Sequence, residues 1–226
     1  MKTAFWGYDD LVLFTGFVVT SVVVALAGAA ALKHVPGLSK PLIALLAQLL
    51  WYLLVFAALG LLFRIKYDRP FWSSLGWRFP FPGVAACLIA GPPLALLIGL
   101  IGYVIHTPII KLPFEQMLAD RPTEALFAVF VVVLGPVSEE LAFRGFLMPL
   151  LVRSFGAVVG IGATALMFGG LHAPEYDWSW RHVLLISTVG AVLGWVRYRT
   201  ESTAASTFMH ATYNLTQLAG FLAASK

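Results

Sequence analysis

The sequence predicts an all-α fold, a polytopic transmembrane helix bundle of about seven spans around an intramembrane polar cavity. Three observations predict it. Of the 226 residues 60% are hydrophobic and 12% charged, with mean hydropathy +0.87, against roughly 25% charged in a soluble domain. The apolar residues run continuously instead of alternating, which argues against a barrel, and hydrocarbon offers backbone groups partners only in helices or closed barrels. The charged and imidazole groups that do fall inside spans all lie in the C-terminal half.

The spans read in order as 11–32, 42–63, 84–105, 123–152, 157–172, 182–196 and 204–223. The first two are plain apolar anchors of about the 20 residues that a bilayer needs. Lys2 and the Ala-Leu-Ala-Gly-Ala-Ala-Ala end of the first span resemble a signal-peptidase site. Its core exceeds the roughly 7 to 15 residues of a signal peptide, and Asp9 and Asp10 spoil a basic flank, so a retained helix is expected. The third span carries Pro92-Pro93, expected to kink it. Before it, the loop 64–82 mixes four cations (Arg64, Lys66, Arg69, Arg78) with Trp and Phe, a composition suited to the headgroup layer. Those cations place the loop in the cytoplasm and the C-terminus outside. Between His106 and Pro122 the chain is amphipathic, with Glu115, Asp120 and Arg121, and an eighth, interfacial or re-entrant helix is the alternative there.

One integral membrane domain, 1–226, is expected, with anchoring spans and the interfacial loop in 1–122 and the functional helix bundle in 123–223. The net charge of +4 and pI of about 9.3 come from cations beside spans, so the expected partner is membrane lipid and not nucleic acid. The expected location is the cell membrane, as a multi-pass protein. Cys87 is the lone cysteine and lies in an apolar run, so no disulfide framework exists and a small buried residue is the preferred reading.

A charged side chain inside a span costs at least about 2.5 kcal/mol, so an intramembrane carboxylate marks a functional site by default. The last four spans carry Glu139, Glu140, Arg144, His172, His210 and Asn214. Adjacent Glu139 and Glu140 diverge by about 100° on a helix and need different tasks. Glu140 and Arg144, at i and i+4 with the acid first, suit an ion pair, which leaves Glu139 free. Phe168 with His172, and His210 with Asn214, share helix faces at the same spacing. A turn at Phe155-Gly156 would put Glu139 and His172 each 16 residues away, about 24 Å along their helices and near mid-bilayer. His210 and Asn214 should lie within a turn or two of that layer. Gly156 with Gly160, Gly190 with Gly194, and Gly169-Gly170 suit close helix packing; Gly169-Gly170 can also loosen the helix ahead of His172.

Glu139-Glu140-Leu-Ala-Phe-Arg144, Phe168-Gly-Gly-Leu-His172 and His210-Ala-Thr-Tyr-Asn214 match, in order, the EExxxR, FxxxH and HxxxN motifs of the CPBP (CAAX protease and bacteriocin-processing, Abi) family. The sequence therefore resembles that family, which includes Rce1-type prenyl-protein endopeptidases, over about a third of the chain. The resemblance implies an intramembrane peptidase in which Glu139 activates water, His172 helps to hold it, and His210 with Asn214 stabilises the oxyanion. Glu140, Arg144 and Phe168 take supporting roles. The implied substrate is a membrane-associated peptide or protein, prenylated in the Rce1-type case. No cofactor is the preferred reading, because the sequence has no HExxH helix; zinc on Glu139, His172 and His210 is the alternative. A proton-coupled transporter is a rival use of such residues, weakened by the lack of an internal repeat. A non-catalytic immunity or scaffold protein of the same fold is a second rival.

Overall fold

The structure is a computed structural model whose described residues are 4–79, 83–110 and 121–224. They are helical, with no strand among them. The helices are α1 (Tyr8–Leu32), α2 (Lys40–Tyr67), the single turn α3 (Phe71–Ser74), α4 (Val84–Val104), α5 (Arg121–Val129), α6 (Gly135–Glu140), α7 (Met148–Leu171), α8 (Trp180–Thr200) and α9 (Thr203–Ala224). Two π-helical segments, Phe130–Leu134 and Leu141–Leu147, join α5, α6 and α7 into one run. A 3-10 turn, Ala173–Tyr176, follows α7. The described residues fall into two compact units.

In the first unit α1 and α2 form a hairpin. Trp6, just ahead of α1, meets Phe63 near the end of α2 with ring centroids 5.3 Å apart, which makes the helices antiparallel. Asp9 and Asp10 sit in the first turn of α1, where the helix dipole favours anions. Lys66 Nζ reaches a carboxylate oxygen of each at 2.6 Å. Buried Asp10 also accepts from the Gly7 amide and the Tyr67 hydroxyl, so its charge is fully used at the hairpin's end. Ser39 caps α2 by accepting from the Leu42 amide. The outer faces of both helices remain apolar and exposed, as lipid-facing helices require.

The second unit contains α4 and α6 to α9, so the third apolar helix packs with the polar-bearing ones. A Cβ built on Gly91 of α4 would lie 2.0 Å from Thr212 Oγ1 and 2.5 Å from the Met209 carbonyl oxygen of α9, so only glycine permits this approach. Leu94 and Ile98 of α4 join Leu185, Val189 and Leu193 of α8 and Met209 of α9 in one core. The turn between α8 and α9 holds the segment after α3: the Thr203 amide donates to the Gly76 carbonyl and its hydroxyl to the Leu75 carbonyl, while Arg197 Nε donates to Thr203 Oγ1 at 2.9 Å.

Among the described residues four stretches are long and apolar enough to cross a membrane: α1, α2, α4 and the run Thr123–Leu171 of 49 residues. The chain is an integral membrane protein with a helical bundle fold. Gly156 (φ 80°, ψ 169°) breaks the 49-residue run. Beyond it, a Cβ on Gly160 would lie 2.6 Å from the Val152 nitrogen, an approach that residues eight apart in a straight helix, about 12 Å along the axis, cannot make. The chain therefore doubles back at the expected turn, and the long run supplies two of seven helices. Helices α8 and α9, with 21 and 22 residues, are long enough to span, but inward-facing Ser, Thr, His and Arg residues lower their hydropathy. The eighth-helix alternative, between His106 and Pro122, falls mostly on 111–120, outside the described residues.

Candidate active site

Two prolines shape the helix that carries the acids. Pro136 and Pro149 stand second in α6 and α7, immediately after the two π segments. A proline ring crowds the carbonyl four residues back and supplies no N–H, so the helix widens ahead of it. In the first π segment the Gly135 amide donates to the Phe130 carbonyl, five residues back. The same pattern would pair the Val131 carbonyl with residue 136, which as proline has no donor. Asn214 Nδ2 of α9 donates to that carbonyl at 2.8 Å, which ties α9 to the acid-bearing helix.

Glu140 is fully buried and so is Arg144, with Nη1 to Oε1 at 2.8 Å. Arg144 Nη2 donates to the Gly190 carbonyl of α8 at 2.9 Å. The expected ion pair is present, and its acid does more than the spacing indicated. The same Glu140 Oε1 accepts from His210 Nδ1 of α9 at 3.1 Å, across 70 residues of sequence. Glu139, one residue earlier, keeps 25% of its side chain exposed and places Oε2 3.8 Å from His210 Nε2. One imidazole thus stands between two adjacent carboxylates, one buried and committed, the other open.

Phe168 is the centre of this cluster. The Arg144 guanidinium lies 4.4 Å over its ring, His172 packs at 4.7 Å and His210 at 6.0 Å between centroids. Arg144 and Phe168 stand twelve positions before and after Gly156, a hairpin register within one residue of the one expected from the turn. His172 caps the C-terminus of α7; its Nδ1 pairs with the Phe168 carbonyl at 2.7 Å, which leaves Nε2 for other partners. Gly169 does not loosen the helix, because it packs: a Cβ there would lie 2.1 Å from Ser187 Oγ and 2.6 Å from the Val183 carbonyl oxygen of α8.

Among the described residues no group of three or more His, Cys, Asp or Glu side chains is placed to bind a metal ion. Two partners escaped the motif spacing, the Val131 carbonyl, whose signal is Pro136, and Glu175, three residues after His172. Glu175 as a whole residue is exposed, yet desolvation by the surrounding protein pushes its carboxyl above the ordinary range; the His172 charge opposes that shift and the Glu139 charge adds to it.

Residues 121–216 match the model of the family described as type II CAAX prenyl endopeptidase Rce1-like. Over this stretch the chain is similar to the Rce1-like family. No curated protein and no solved structure matches the chain. The Rce1-like segment begins with α5 and ends inside α9, and it contains Glu139, Glu140, Arg144, Phe168, His172, His210 and Asn214. At the general level the Rce1-like assignment is to a protease.

Proposed function

We propose that the chain is an intramembrane endopeptidase that hydrolyses peptide bonds of membrane-associated proteins or peptides by water activation, without a covalent nucleophile or a metal. One observation carries the reading: the two adjacent acids occupy opposite states around one histidine, Glu140 sealed under Arg144 and Glu139 open beside His210 Nε2. A general base must keep its carboxylate available to water. Glu139 does, and Glu140 serves to orient His210.

Glu139 takes the proton of a water that attacks the scissile carbonyl, and His172 Nε2 helps to hold that water. The developing oxyanion needs placed donors. His210 keeps Nδ1 on Glu140 and turns its Nε2 edge to the oxyanion, and the second N–H of Asn214 Nδ2 remains after the first is given to Val131. Glu139 then returns its proton to the leaving amine. The family description makes a prenylated C-terminal peptide the first substrate to test.

Purified protein in detergent, given membrane-anchored peptides with and without prenyl groups, should cleave them with and without chelator, and Glu139→Gln protein should not. Loss of cleavage under chelator with recovery on added zinc overturns the metal-free route. Proton flux in vesicles without any cleavage overturns the peptidase reading.

A further inference from the structure

The turn that follows α7 carries a carboxylate to which the chemistry above gives no task. We propose that Glu175 is a positioning residue for His172, its charge holding the imidazole in the pose that presents Nε2 to the attacking water; this rests on the catalytic reading of His172. The backbone supplies the geometry. The Glu175 amide donates to the His172 carbonyl at 3.1 Å, the bond that opens the 3-10 turn. With three residues per turn, side chains at i and i+3 eclipse, so the carboxylate rises on the same side as the imidazole.

The turn is a fixed platform. The Trp178 amide donates to the Ala173 carbonyl at 2.9 Å and the Ser179 amide to the Tyr176 carbonyl at 2.8 Å. The Tyr176 ring stacks on His182 of α8 with centroids 4.5 Å apart. The His172 ring is held at Nδ1 by the Phe168 carbonyl and on one face by the Phe168 ring, while among the described residues its Nε2 edge has no such grip. Glu175 lies within electrostatic reach of both His172 and Glu139, so it can act on the imidazole at the place where Glu139 works. A carboxylate orienting a catalytic imidazole from one side needs no contact with substrate.

Glu175→Gln keeps the shape and removes the charge; Glu175→Asp keeps the charge on a shorter arm. On a peptide that the wild type cleaves, Glu175→Gln should lower kcat by roughly three- to tenfold with KM within about twofold, and Glu175→Asp should recover at least half of the loss. In the same proteins, ¹⁵N resonances of the His172 ring should move toward a mixed tautomer in Glu175→Gln and stay near wild type in Glu175→Asp. Unchanged kcat, or a rise in KM alone, overturns the assignment, the second by making Glu175 a substrate contact. If the wild type cleaves nothing, the peptidase reading fails and the ring resonances still decide: an unmoved His172 spectrum overturns the role of Glu175.

Discussion

Glu139 and Glu140 are identical side chains one residue apart, and their surroundings separate them. Glu140 neutralises Arg144 where neither touches solvent, and it also orients His210; Glu139 has an open flank. Glu139→Gln should therefore reduce turnover by about 10²- to 10⁴-fold, the worth of a general base, with the thermal midpoint in detergent unchanged. Glu140→Gln leaves the buried guanidinium without its counter-charge, which costs about 3–5 kcal/mol, and it also weakens the hold on His210. Unfolding midpoints and initial rates measured on both variants check this: the first should lose activity alone, the second stability and activity together. Matching losses of both in the two variants would defeat the division of labour.

At the scale of elements, the site depends on α7 and α8 touching through backbone. The built Cβ on Gly169 meets the Val183 carbonyl and the Ser187 amide as well as a hydroxyl, and backbone atoms cannot rotate away. Gly169→Ala should cost about 1–3 kcal/mol by forcing the helices apart. Gly170, with nothing within 4 Å of its built Cβ, provides the contrast. Gly170→Ala should be neutral or stabilising by up to about 1 kcal/mol, since alanine is the better helix former. Thermal unfolding of the pair separates packing from helix propensity.

At the scale of the molecule, the cation-rich loop 64–82 sets the expected orientation, because Lys and Arg beside spans are retained on the cytoplasmic side. In a Cys87→Ser background, Ser73→Cys should react with a membrane-impermeant thiol reagent only from the cytoplasmic face. Reaction only from the outer face reverses the topology.

The sequence by itself determined the helical membrane class, the turn at Phe155-Gly156 and the Glu140–Arg144 pair. Those are local or periodic properties: hydropathy is summed along the chain, an i, i+4 pair needs one helix, and a hairpin register needs only a turn and a count. The tertiary structure alone decided that His210 rests on Glu140, that Asn214 fills the carbonyl stranded by Pro136 and that α4 packs with the polar helices. Each of these joins groups whose separation in sequence says nothing of their distance in space, because helix rotation and packing angle are set by complementary surfaces that no single helix contains.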